Sequence, residues 1–130
     1  MTEGLKEFTL LDVTHIVDGD TFDALVQDDD VGEIDGWKLS GQKVIRIRLI
    51  HLDTPEKGKP GYEQAGSELR EWLETELGYW GTLTVLAQVK KDSFGRYISD
   101  VFPSYDRART ASEHMLTEAN NGQGWDVWLG

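Results

Sequence analysis

Cysteine is absent from this 130-residue chain, which excludes disulfides and thiolate metal sites and leaves no argument for an oxidising compartment. No apolar run approaches the roughly 18–20 residues that cross a bilayer, so no membrane association is expected. Histidine is scarce: His15, His51 and His114 form no metal-ligand pattern and read as structural or surface residues. The first residues, MTEGLKEF, lack the basic-then-apolar order of a secretory leader. That predicts a cytoplasmic protein, or a secreted one if a precursor segment has been removed. Positive charge is also short, with 13 Lys and Arg against 24 Asp and Glu, a net charge of −11. Taken alone, this argues against a nucleic-acid binder, because phosphate backbones attract basic surfaces.

What is present is enough for one core. The length suits a single domain over residues 1–130, with five Trp and an ordinary apolar fraction of 38%. The acidic excess is concentrated in two places. Asp28 to Asp35 carries five acids and no base, and without it the net charge would be −6. Glu63 to Glu76 carries five acids against Arg70, and without that stretch too the charge would be −2. Both read as solvated faces. The first lacks the spacing and terminal Glu of an EF-hand loop.

Phe8 to Thr14 and Asp20 to Val26 are short and rich in β-branched and apolar residues, with an Asp-Gly turn signal between them. Gly32, Gly36 and Gly41 punctuate the acidic segment, which reads as a long loop or an extended β-arm pinned by Trp37 and Leu39. Lys43 to Leu52 is the strongest strand: Ile45, Ile47 and Leu49 share one face, and Arg46 and Arg48 the other. From Tyr62 the period turns helical through Ala65, Leu69, Trp72, Leu73 and Leu77, with Gly78 as the expected stop. Thr82–Val89 and Arg96–Phe102 read as two more strands, joined by KKDSFG. Thr110 followed by Glu113 is a capping box opening a short helix, Ala111–Ala119. The pattern predicts a β-rich α+β fold. Its expected form is a five-stranded OB-type Greek-key barrel, with a helix between strands 3 and 4 and a short C-terminal helix.

Three clusters place ionisable side chains at strand ends: Asp18-Gly19-Asp20-Thr21, Arg48 with Asp53-Thr54-Pro55-Glu56, and Gly95-Arg96. Each alone is well explained as a turn or a surface residue. Together they make a chemical kit. Carboxylates with a backbone carbonyl suit a hard cation, Ca²⁺ or Mg²⁺. Two guanidiniums can hold one phosphate, and a further carboxylate can orient or deprotonate water. Such a set fits phosphodiester hydrolysis.

The runs IVDGDTF, RLIHLDTPE, GYEQAGSELREWL and KKDSFGRYISDVF resemble, in order and spacing, those of the staphylococcal nuclease (thermonuclease) family, over roughly residues 9–124. The resemblance implies an OB barrel that cleaves DNA and RNA with Ca²⁺, with Mg²⁺ as the alternative ion. It implies Asp20 and Asp53 as metal ligands, with Thr54 supplying its carbonyl. It implies Arg48 and Arg96 on the scissile phosphate, and Glu56 beside the attacking water as general base or organiser of water.

The chain also departs from the family. The acidic segment, about residues 27–42, is an insertion, and Ser93 stands where the family has a lysine, with Lys90 and Lys91 nearby. The family's nucleotide-stacking tyrosines have no counterparts; Trp125 or Trp128 is a replacement platform or, more simply, part of the core. The resemblance thus predicts a monomeric, calcium-dependent nuclease, and the acidity predicts a preference for single-stranded DNA or RNA. The alternative is a catalytically weak OB module that binds nucleic acid or a protein partner.

Overall fold

A computed structural model describes residues 4–120. Five strands and two helices follow in the order β1 (Leu5–Asp18), β2 (Thr21–Ile34), β3 (Trp37–Leu49), α1 (Tyr62–Trp80), β4 (Leu83–Gln88), β5 (Tyr97–Phe102) and α2 (Ala111–Asn120). This is a β-rich α+β fold. The sheet is mixed and closes on itself in the order β1-β2-β3-β5-β4, with β3 and β5 parallel and the other neighbours antiparallel. Among the described residues no helix is long and apolar enough to cross a membrane.

Closure depends on β1. Its first half, Leu5–Leu10, pairs with β4, and its second half, from Thr9 to Asp18, pairs with β2. Three register irregularities, between Leu10 and Asp12, Val13 and His15, and Ile16 and Asp18, interrupt the β2 pairing. Such irregularities bend a strand and raise its twist, so one strand can serve two neighbours. The inner face carries Phe8, Leu10, Phe22, Ala24, Val26, Ile45, Ile47, Leu49, Val85 and Val101, all buried, and α1 adds Leu69, Trp72 and Leu73. Ile45, Ile47 and Leu49 do share the buried face of β3, while Arg46 turns out to pair with Asp23 at 2.7 Å.

Two expected boundaries move, and the open choice for the acidic segment is decided. The β1 and β2 strands run longer than read and meet in a two-residue turn, Gly19-Asp20, where Asp18 pairs with Thr21. The acidic segment is β-structure: β2 and β3 continue as a paired arm to Ile34 and Trp37, joined by Asp35-Gly36, both at positive φ. The helix α1 passes Gly78 and stops at Gly81, whose φ of 82° ends the helix and whose N–H donates to the Leu77 carbonyl at 2.7 Å. The capping of α2 is as read, with the Glu113 N–H donating to Thr110 Oγ1 at 3.1 Å. Trp125 and Trp128 lie outside the described residues.

Side chains fasten the helices to the strand ends. Tyr62 donates its hydroxyl to the Val17 carbonyl at 2.9 Å, which sets the start of α1 beside the β1–β2 turn. Ser112 donates to the Ile50 carbonyl at 2.8 Å, which sets α2 beside the exit of β3. Buried Glu76 of α1 is matched by Arg109, with Nε on Oε1 at 2.6 Å. A buried carboxylate needs such a partner.

Candidate active site

The β1–β2 turn, the loop after β3 and the turn before β5 converge on one cleft of about 520 Å³. Close packing brings the first two together. A Cβ at Gly19 would stand 2.7 Å from Ala65 Cβ and 2.8 Å from Thr54 Oγ1, inside van der Waals contact. Only a residue without a side chain lets this turn sit against both α1 and the Asp53–Glu56 loop. The neighbouring Asp20 is thereby buried, 4% exposed, yet carries a carboxylate.

That carboxylate is fully engaged. Asp20 Oδ1 accepts the Thr21 hydroxyl at 2.7 Å, and Oδ2 accepts the Thr54 N–H at 2.9 Å. Arg48 Nη1 reaches Oδ2 at 3.2 Å, while Nη2 lies 3.5 Å from Asp53 Oδ1. The same guanidinium donates to the carbonyls of Leu49, at 3.2 Å, and Leu52. Its plane is thus fixed by two carbonyls and shared between two carboxylates. Arginine suits such a position because it keeps its charge when desolvated and offers several donors in one plane.

Arg96 is held separately. Asp92 accepts the N–H groups of Phe94 and Arg96 on Oδ1, at 3.0 and 2.8 Å, and the Arg96 side chain on Oδ2, with Nε and Nη2 both at 2.8 Å. Burial opposes ionisation of Asp92, but the hydrogen bonds from Arg96 and Phe94 outweigh it and hold the carboxyl below its ordinary pKa. Gly95, at φ 77°, makes the turn that permits this loop. Phe94 stands 80% exposed beside it, with the Arg96 guanidinium 5.1 Å from its ring centre.

All six residues singled out from the sequence, Asp20, Arg48, Asp53, Thr54, Glu56 and Arg96, line this cleft. Asp20 and Thr54 are buried, Arg48 and Arg96 partly so, and Asp53 and Glu56 exposed. Glu56 is carried on a tight turn whose Glu56 carbonyl accepts the Lys59 N–H at 3.0 Å. Asp18 joins them, its carboxyl pushed up to about 7, first by burial and then by the adjoining Asp20 carboxylate.

Sequence reading missed Asp92, Lys59 and Phe94. Asp92 could have been found from its place in an Asp-Ser-Phe-Gly turn four residues before an arginine, where its side chain caps the turn. Lys59 adds a third cation to the cleft, and no spacing signal distinguished it from Lys57. Phe94 was overlooked because a turn aromatic has no periodicity to betray it. The histidines stay outside this cleft: His114 bonds Glu68 at 2.8 Å in a separate groove lined by α1 and α2.

Asp18, Asp20, Asp53 and Glu56 bring four carboxyl groups to the cleft lining, with Thr54 among them. They are hard ligands, fitting Ca²⁺ or Mg²⁺ and not a soft metal. Thr54 Oγ1 is buried with no hydrogen-bond partner, a polar atom left over at the rim of this set. Among the described residues no three His, Cys, Asp or Glu side chains cluster as an ion-binding group. No protein-family model matches the chain, and no curated protein matches it significantly.

Proposed function

We propose that this chain is a metal-dependent nuclease of the staphylococcal nuclease type, hydrolysing phosphodiester bonds in single-stranded DNA or RNA. The observation that carries the reading is the convergence of three separate segments, bearing Asp20, Arg48 with Asp53 to Glu56, and Arg96, on one cleft. A strand order in which β1 pairs with both β2 and β4, and β3 runs parallel to β5, supports the OB-type Greek-key reading. The ion would be held by Asp20, Asp53 and the Thr54 carbonyl, and would supply positive charge to the phosphate during attack.

The chain's own residues do the rest. Arg48, fixed by the Leu49 and Leu52 carbonyls, presents a preset guanidinium to the scissile phosphate. Arg96, aligned by Asp92, presents a second. Donors fixed before reaction stabilise charge as it develops without first having to reorient. Glu56, exposed and hinged on its turn, accepts the proton of the water that attacks phosphorus in line. The bond from phosphorus to the 5′ oxygen breaks, leaving a 3′-phosphate. Phe94 offers an exposed ring for base stacking next to Arg96.

One observation favours a second reading, an OB module that binds nucleic acid or a protein without cutting. Both guanidiniums are already paired, Arg48 with Asp20 and Asp53, and Arg96 with Asp92. The deciding experiment is cleavage of single-stranded DNA and RNA with Ca²⁺, with Mg²⁺ and with chelator. Cleavage that stops in chelator is expected. Binding without cleavage under any metal would establish the second reading in its place.

A further inference from the structure

We propose that the arm formed by the far ends of β2 and β3 docks a basic segment of a partner protein on its exposed apolar face. Beyond the ring, β2 and β3 pair only with each other: the β1 pairing of β2 ends at Gln27, and β5 meets β3 only at Ile47–Leu49. The tip lies about 35 Å along the strand from the Thr21–Arg48 pair at the cleft, at about 3.3 Å per residue. The arm is therefore a surface distinct from the proposed active site.

The register tells which side chains share its faces. Val26 pairs with Lys43, Asp28 with Gly41, Gly32 with Leu39 and Ile34 with Trp37. Residues two apart point the same way, and the extra residues of the Asp28–Gly32 irregularity preserve the alternation. The face that points inward within the ring thus continues along the arm as Leu39, Ile34 and Trp37. Val31 joins this group, lying 3.7 Å from where a Gly41 Cβ would be. These four are 38%, 59%, 78% and 53% exposed for Leu39, Ile34, Trp37 and Val31 respectively. Gly32 and Gly41, on the same face, leave bare backbone between them. The opposite face, Glu33 with Lys38, is charged.

The occupant is chosen by charge. The arm carries Asp29, Asp30, Glu33 and Asp35, and among the described residues only Asp30 of these four forms a side-chain ion pair, with Lys38 at 3.7 Å. Asp28 is taken up by Lys6 at 2.8 Å. An apolar strip on an acidic arm complements a cationic polypeptide with apolar anchors. A second copy of this chain would bring an equally acidic arm, and a nucleic acid would bring phosphates; both are repelled. Isolated exposed apolar residues are ordinary, but four contiguous ones on a projecting hairpin mark an interaction surface.

The test uses ¹⁵N-labelled full chain titrated with an octapeptide of alternating Lys and Val, and with its Glu-Val counterpart. The Lys-Val peptide is expected to shift amides of residues 28–44 and to bind more weakly as salt rises. Ile34→Ser combined with Trp37→Ser should weaken it at least about tenfold, while unchanged amide shifts at Phe22 and Ile47 show the ring intact. The proposal is overturned if the double variant binds equally, if both peptides bind alike, if neither binds, or if the shifts fall on α1 or the cleft. A concentration-dependent dimer that the double variant abolishes would assign the face to a second copy and overturn it too. Because the readout is peptide binding, loss of this proposal leaves the nuclease reading to stand or fall on its own assay.

Discussion

The two ends of the β2–β3 pair are opposites in how they spend polarity. At the cleft end, charged groups are buried and matched: Asp20, 4% exposed, is held by Arg48, Thr21 and Thr54. At the arm end, apolar groups are exposed and unmatched, with Trp37 78% exposed. Both ends belong to the same two strands, so the contrast is not one of secondary structure. It lies in what packs around them. The cleft end has the Asp53–Glu56 loop bonded to it and Ala65 of α1 against the adjoining Gly19 turn, and rigid surroundings can hold a charged group in one geometry. Among the described residues the arm end is tied back by Lys6, on Asp28 and on the Asp30 carbonyl, and beyond that point it rests on its own ladder.

Removing Arg48 should break the cleft end most severely. In Arg48→Ala, Asp20 stays buried without its cation, so stability should fall by about 3 kcal/mol, and turnover, if the nuclease reading holds, by about 10²–10³-fold. Arg96→Ala should lower turnover comparably but leave the melting temperature nearly unchanged, because Asp92 lies on an open turn. Thermal melts and single-turnover cleavage of both variants test the contrast; equal melting temperatures would mean that Arg48 does not support the fold.

A pair of glycine substitutions sharpens the comparison at lower amplitude. Gly19→Ala forces a Cβ against Ala65 and Thr54 at 2.7 and 2.8 Å, an overpacking that should cost about 2 kcal/mol and displace the Thr54 loop from Asp20. Gly41→Ala on the arm meets only Val31, at 3.7 Å, an ordinary contact, and should stabilise slightly, by about 0.5 kcal/mol, through the unfolded chain. Urea melts of the two variants should therefore move in opposite directions.

A last contrast concerns pH. Asp18 titrates near 7 in the folded protein against 3.8 for its ordinary value. Between those values the folded state binds the extra proton, so this group favours folding most below pH 4 and loses that contribution as pH rises through 7. Asp18→Asn should flatten that part of the stability profile in metal-free buffer. Removing an arm carboxylate, as in Glu33→Gln, should not. A wild-type slope that survives Asp18→Asn would trace the titration to another group.

How much of this was legible depended on whether a signal was local. The alternation of Ile45, Ile47 and Leu49 against Arg46 and Arg48 is local, and β3 follows it. The capping box at Thr110 is local too. The arm was one of two readings left open: Asp35-Gly36 flanked by Ile34 and Trp37 is a two-residue hairpin signal, but three glycines and five acids suit a long loop equally. Gly78 misled because a glycine tolerated within a helix looks like one that ends it; only the positive φ of Gly81 separates them. The six cleft residues were picked out in the sequence, but their gathering depends on Gly19 packing against α1, which no pattern shows. Asp92 escaped because its bond to Arg96 spans a turn, where an i, i+4 spacing carries no helical meaning.

The double pairing of β1 also bears on the order in which the chain can assemble. The β2–β3 pair is a hairpin between neighbouring strands, so the Thr21–Arg48 contact can form early. Leu5, by contrast, pairs with Gln88, more than half the chain away. The ring cannot shut until β4 exists, and such distant contacts slow folding because their loop entropy is lost before they stabilise anything. On the ribosome, the first strand synthesised must wait for the fourth, with half its hydrogen bonds open. The bent strand thus joins the parts of the ring that lie farthest apart in the sequence.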